Sequence, residues 1–436
     1  MRIVFMLLCF LLTACVTPSY YQTNKKAMDA YYANHYDTAL AELEQNKYIK
    51  EAYNLTLYKL EKARLLYLNN KPEEAAKLLI EAEVTLDDNG KKYHHDLMGN
   101  KVYWTDNRYT IDGRPLPPPP KNSDEALEQS SYVRGSFGYA MVPHFKSAAK
   151  TTYLSTDIER PLLNYQIGLC GLALKDDKPL IEAKLLYALN DKLNIRKTPV
   201  SQHNYSPNPF LHLCSGIFFE AANEMNSAFI AYELALKSYN DSNCLANYGL
   251  KLPQQLKTDL ILMSSKLGFT DRYDKYKNQF ALIPKETEQP QVLLLIELNH
   301  TPRKDIGKTK ESEKFPYPYI KKVSGDATNL TVAIDGVVYE APIINNLQYQ
   351  LGDAVATAME TTFYKNMKWT VSERYKNYDS RNWQTLPAQI CYTKLPLKIG
   401  VQQLQVSYFA DNKLVQKNVS VHMKTGDRVI PIRIID

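Results

Sequence analysis

Cysteine, histidine and paired carboxylates are the side chains that hold metals, attack carbonyls or carry groups, and this 436-residue chain uses them sparsely. Cys9, Cys15, Cys170, Cys214, Cys244 and Cys391 are far apart, with no Cys-x-x-Cys and no Cys/His cluster, so no zinc site is expected. His94-His95-Asp96, if helical, would point its imidazoles about 100° apart, with no second cluster to complete a metal set. No Gly-x-Ser-x-Gly, phosphate-binding loop, Gly-x-Gly-x-x-Gly or His-Glu-x-x-His occurs, so no catalytic residue is assigned and an enzyme is not expected. Arg381 and Trp383, with Arg303 and Lys304, offer a candidate binding edge, because indole and guanidinium faces stack on sugars or peptide groups.

Cys15 stands apart because of what precedes it. Arg2 leads into an apolar run from Ile3 to Leu12, long enough for a secretory signal and short for a bilayer span. Leu12-Thr13-Ala14-Cys15 follows, and this resembles the bacterial lipoprotein signal. There a thiol is required because a thioether carries the diacylglycerol, and small neighbours admit the strand to the signal peptidase. The expected segments are a signal peptide over 1–14 and a lipidated tether over 15–24. Val16, rather than Asp, follows the cysteine, which by that resemblance implies an outer-membrane protein facing the periplasm. The covalent lipid on Cys15 is the one cofactor-like group expected, and the remaining cysteines would lie in an oxidising compartment.

Composition bounds the rest. The chain is 44% hydrophobic and 23% charged with a net charge of +6, which excludes a wholly disordered chain. No run of about 18 apolar residues exists, which excludes a polytopic helical membrane protein. Basic residues concentrate only between His300 and Lys322, so a nucleic-acid partner is not expected; that loop could meet an anionic surface such as lipid headgroups. The 32 tyrosines suit half-buried helix faces and grooves.

The elements that must position these residues divide in two. Over 25–283 the apolar residues recur at helical spacing, apart from an irregular insertion at about 88–150 that contains the proline run Pro117-Pro118-Pro119-Pro120. Lys71-Pro72-Glu73-Glu74-Ala75-Ala76-Lys77-Leu78-Leu79 shares its Lys-Pro and Ala-Lys-Leu-Leu spacing with Lys178-Pro179-Leu180-Ile181-Glu182-Ala183-Lys184-Leu185-Leu186. Tyr36–Leu43 and Asn226–Leu236 read alike, and the set resembles tetratricopeptide (TPR) repeats, helix pairs of about 34 residues. Antiparallel pairing of one such hairpin would bring Cys214 and Cys244 together, and a disulfide between them is expected.

Over 284–436 the pattern turns to strands. Gln291–Leu298 reads as a buried strand, and Leu330–Glu340 as a hairpin turning at Asp335-Gly336. Leu351–Tyr364 reads as helical, and Gln389–Lys394, Gln402–Phe409, Leu414–His422 and Val429–Ile435 as strands of an antiparallel sandwich. The fold class expected is α+β multidomain: a TPR-like helical array, then a β-sandwich-like region.

Four separated segments carry a wider resemblance. They are Asp157–Tyr165, Leu267-Gly268-Phe269, Asn299–Lys304 and Arg381–Ala388. With the helix-then-strand order they resemble an uncharacterised family of bacterial lipoproteins over most of residues 30–425, departing from its pattern at Gln166 and Asn382. The resemblance implies no enzymatic activity. It implies an envelope scaffold or adaptor that meets other envelope proteins, peptidoglycan assembly being the process it points to. The alternatives are a module binding peptidoglycan or lipopolysaccharide, or an accessory lipoprotein of a secretion or export machine.

Overall fold

Proline at the start of a helix and a left-handed residue at its end are the local devices that cut the first half into short helices. The computed structural model describes residues 19–90, 93–95, 101–103, 153, 156, 158–195, 207–284, 291–307, 317–351 and 380–435. The signal segment, Cys15 and most of the 88–150 insertion lie outside the described residues. The chain is an α+β protein with helices in the N-terminal part and strands in the C-terminal part.

The helices are α1 (Tyr20–Thr23), α2 (Lys25–Tyr32), α3 (Tyr36–Gln45), α4 (Leu55–Leu68), α5 (Pro72–Gly90), α6 (Arg160–Leu174), α7 (Lys178–Ile195), α8 (Pro209–Ala221), α9 (Met225–Tyr239), α10 (Cys244–Tyr248), α11 (Gln254–Lys266) and α12 (Thr270–Phe280). Five pairs, α2/α3, α4/α5, α6/α7, α8/α9 and α11/α12, turn in one way. Asn34, Asn70, Lys175, Asn223 and Gly268 each take a positive φ of 57° to 73° at the turn. The next residue's N–H then reaches back five residues to a carbonyl: His35 to Ala30, Lys71 to Leu66, Asp176 to Gly171, Glu224 to Phe219 and Phe269 to Ser264. This is the Schellman closure, which satisfies carbonyls the helix end leaves orphaned. Asparagine tolerates that backbone better than most side chains, which is why it recurs.

Each helix from α2 to α9 packs on the next along the chain, and α9 meets α11 directly past the short α10, so the pairs form a row running from α2 to α12. The first helices of the middle pairs are apolar nearly all round: residues 161–171 of α6 and 209–219 of α8 are buried without a break. Such a helix must be covered on two sides. On one side lie α5, α7 and α9, which bury a single face. On the other lies a sheet.

The strands are β1 (Tyr93–His95), β2 (Lys101–Tyr103), β3 (Gln291–His300), β4 (Arg303–Gly307), β5 (Tyr317–Lys321), β6 (Ala327–Ile334), β7 (Val337–Glu340), β8 (Ile343–Asn346), β9 (Pro387–Pro396), β10 (Gly400–Ala410), β11 (Lys413–Met423) and β12 (Val429–Ile434). Two four-stranded sheets form, in the orders β12-β3-β9-β8 and β11-β10-β6-β7. Alternation along β3 gives each face its own core. Val292, Leu294, Ile296 and Leu298 join Leu404, Val406 and Tyr408 of β10 between the sheets. Leu293 and Leu295 instead join the helical core with Leu162, Leu213 and Trp383. The order of layers is therefore outer helices, inner helices, first sheet, second sheet.

Several expectations need correction. The strands are not all antiparallel, because β12 runs parallel to β3, with Val429 opposite Leu293 and Ile434 opposite Leu298. The helical and β regions are not separately cored, since one cluster spans both. Residues 19–24 are not a tether: Ser19 caps α1 in a reciprocal box with Gln22, and Tyr20 and Asn24 are buried. His94 and His95 lie on a strand rather than a helix, paired with Val102 and Lys101. The Asp335-Gly336 turn forms as read, with φ of 50° and 80°, and Asp411-Asn412 makes a second such turn at 48° and 64°. Of the expected helix over 351–364 only Leu351 lies within the described residues, where it ends a helical turn over 347–351.

Candidate functional site

The polar groups of the fold converge on the segment Ser380 to Leu386, which leads into β9. Its backbone does not enter a ladder until Pro387, so its N–H groups need other acceptors. Glu61 of α4 supplies two: its carboxylate accepts from the N–H of Gln384 at 2.8 Å and of Thr385 at 3.1 Å. Glu159, at the N-terminus of α6, accepts from the Trp383 N–H at 2.8 Å and from the Tyr153 hydroxyl at 2.7 Å. The Thr385 carbonyl accepts from the Tyr31 hydroxyl at 2.7 Å and from Arg64 Nε at 3.4 Å. Arg381 donates to the Tyr53 carbonyl and the Asn54 side chain, and Tyr20 N–H donates to Ser380 Oγ.

Arg64 continues the network. Its guanidinium donates to Gln166 at 2.6 Å and to Glu297 of β3. Arg433 lies opposite Glu297 across the parallel pair, its Nη1 3.7 Å from the carboxylate. Burial pushes the Glu297 carboxyl up, but Arg64 and Arg433 together outweigh it and hold the group below the usual carboxylate range. Glu61 has no cation partner of that kind, and burial pushes it up to about 8 against the pull of its Thr385 and Gln384 donors. His300 stacks edge-on to Tyr31 and Tyr32, and burial next to Arg433 drives it down to about 3. Chemically this arrangement clamps a chain segment. Both oxygens of Glu61 and of Glu297 are already occupied by protein donors.

A second buried charge group sits further along β9. Lys394 donates to Glu220 at 2.8 and 2.9 Å and lies 3.1 Å from Asp259, bringing α8 and α11 onto the sheet. The Tyr232 hydroxyl donates to Glu220 at 2.8 Å and the Gln255 amide to Asp259 Oδ1 at 2.9 Å, while Asp259 Oδ2 has no hydrogen-bond partner among the described residues.

These positions correct the candidate edge. Trp383 is fully buried and Arg381 is 1% exposed, because the segment packs under the inner helices rather than along a rim. Arg303 is buried too, with its guanidinium 3.4 Å from the Tyr21 ring centre. Lys304 is half-buried in β4, where its N–H donates to Asn382. Cys214 and Cys244 are free, buried thiols and form no disulfide. Cys214 sits mid-helix in the core, and Cys244 turns its sulfur toward the Leu250 carbonyl at 3.8 Å. No group of three metal-ligating side chains occurs among the described residues.

Sequence reasoning passed over Glu61, Arg64, Glu159, Glu297 and Lys394. The signal was present: Glu297 interrupts the run Val292–Leu298, and Lys394 stands between Ile390 and Leu397. A charge inside an apolar strand buried on both faces requires a partner.

The accessible surface of the helical row is its outer side. Val84 of α5, Ile181 of α7 and Ile230 of α9 are 56%, 53% and 51% exposed, with Ile80 and Leu185 one turn from the first two. A cleft of about 590 Å³ opens between α9 and α12, lined by Ile230, Leu234, Lys237, Arg272 and Tyr276.

No protein-family model matches the chain, and neither a curated protein nor a solved structure matches it significantly.

Proposed function

We propose that this chain is an outer-membrane-anchored periplasmic lipoprotein, acylated on Cys15, that serves as a non-enzymatic scaffold for other envelope proteins. In this reading the helix pairs are TPR-like, and the family resemblance directs the work to cell-envelope assembly, peptidoglycan included.

The observation that carries the scaffold reading is the repeated helix pair with its shared left-handed turn. Rows of such pairs present long surfaces suited to protein partners. The inner side, where such arrays usually take ligands, is filled by the chain's own sheet and by the 380–386 segment. Partners are therefore assigned to the outer helices, where Val84, Ile181 and Ile230 leave apolar side chains in water. The glycan alternative loses its aromatic edge with Trp383 buried.

Photo-crosslinking in intact cells from positions 84, 181 and 230 tests this. The expected result is one discrete partner captured from at least two successive outer helices and lost in Ile181→Glu. A smear of abundant proteins, unchanged by that substitution, removes the reading.

A further inference from the structure

Cys15 and the folded body are separated by very little chain. Ser19 is already buried and caps α1, and the Tyr20 N–H is fixed to Ser380 Oγ at 3.2 Å. The four residues from Cys15 to Ser19 reach at most about 14 Å. With a lipid on Cys15, the surface around α1 cannot leave the headgroup zone.

That surface is joined to the basic hairpin β4–β5. Arg303 of β4 lies on the Tyr21 ring of α1, and Lys321 of β5 stands opposite Arg303 in the ladder. Lys25, Lys26, Lys321 and Lys322 are exposed here. Asp29 and Asp326 temper the charge by pairing with Lys25 and Lys322. Arg303 faces Asp305 at 3.6 Å, so among the described, exposed residues of α2 and the hairpin the excess charge is carried by Lys26 and Lys321.

We propose that the protein stands on an anionic phospholipid surface on its first helix pair and the β4–β5 hairpin. This rests on the anchored-lipoprotein reading. The short tether brings α1 to the membrane, and the lysines choose which side of the body turns down. The row α2 to α12 then extends away from the anchor, placing α12 at the far end and the outer helices where partners can reach them.

The test uses the acylated full-length protein in vesicles of mixed zwitterionic and anionic phospholipid that carry a spin-labelled headgroup. One fluorophore is attached at a time through Gln22→Cys, Lys321→Cys or Asn278→Cys, since Cys170, Cys214, Cys244 and Cys391 are buried. Probes at 22 and 321 should be quenched about threefold more than the probe on α12, and the excess at 321 should shrink in purely zwitterionic vesicles or in high salt. If 321 is quenched no more than 278, the hairpin faces away and the proposal falls. If the excess at 321 is indifferent to anionic lipid and to salt, the headgroup contact falls. Mass spectrometry of the N-terminal peptide reads acylation separately. An unmodified Cys15 overturns the anchored reading and this proposal with it, whereas an acylated Cys15 with wrong quenching overturns this proposal alone.

Discussion

The Arg64 guanidinium and the Glu297 carboxylate meet in a dry interior, with side chains 0% and 2% exposed, where helix α4 faces strand β3. They come from opposite halves of the chain and tie the helical row to the sheet. Removing Glu297 leaves the Arg64 charge buried without its carboxylate, and removing Arg64 leaves Glu297 with only the more distant Arg433, at 3.7 Å. Arg64→Ala or Glu297→Ala should therefore cost about 3–5 kcal/mol. The double variant should cost less than the sum, with a coupling of about 1–3 kcal/mol. Urea unfolding followed by circular dichroism measures this, and helix and sheet signals should melt together because one core spans both. Two separated transitions in the wild type would contradict the shared core.

Trp383 provides the second measure of that seam. Its ring is fully buried among helical and sheet residues, and its indole N–H donates to Thr385 Oγ1 at 2.9 Å. Trp383→Ala should lose about 3–5 kcal/mol, as large-to-small core changes do. A residue on an exposed binding edge would lose no more than about 0.5 kcal/mol. The same unfolding experiment separates the two.

Much of the architecture could be read from local pattern. Pro72 and Pro179 mark helix starts, and Asp335-Gly336 and Asp411-Asn412 mark hairpin turns, because each answers a constraint on its own backbone. The recurring Asn34, Asn70 and Asn223 were equally local and would have located three of the five helix turns. What could not be read was pairing across distance. An antiparallel helix hairpin brings sequence-distant ends together, so Cys214 and Cys244 read as a bridge, yet both are buried, free thiols. Arg381 and Trp383 looked like surface chemistry because nothing local says that two carboxylates, from α4 and from the start of α6, will collect the backbone beside them. The parallel placement of β12 beside β3 is likewise a choice made by packing.

The thiols give a direct check. Burial pushes Cys170 up to about 12, Cys244 up to about 11 and Cys214 well above the ordinary thiol range. In a chain with Cys9 and Cys15 replaced by serine, a thiol reagent at neutral pH should find no reactive group in the native state. In urea it should find all four, with or without prior reductant. Only two reactive thiols before reduction would restore the Cys214–Cys244 bridge.

The pH dependence of stability has two opposed contributors. Glu61 rises from 4.5 to about 8 in the folded state, so its contribution is fully present below pH 4.5 and is lost as pH rises through about 8. His300 falls from 6.5 to about 3, so its contribution is present above pH 6.5 and is lost as pH falls toward 3. Relative to wild type, Glu61→Gln should gain stability as pH rises from 5 to 9, and His300→Phe should gain it as pH falls from 7 to 4. Urea titrations across that range read both trends, and parallel curves for wild type and either variant would refute the corresponding assignment.

Gly168 decides between two effects of opposite sign. In a helix interior, alanine is better than glycine by about 0.5–1 kcal/mol, so propensity alone favours Gly168→Ala in α6. A Cβ there, however, would lie 2.3 Å from the Phe218 ring of α8. Phe218 is itself buried and stacked on Tyr165, with ring centres 6.3 Å apart, so it has little room to retreat. Overpacking of this kind costs about 1–3 kcal/mol and should win. The substitution should therefore destabilise the protein. In a Phe218→Leu background, where the ring is gone, the same change should become neutral or stabilising. A Gly168→Ala variant more stable than wild type would mean that α6 and α8 do not approach this closely.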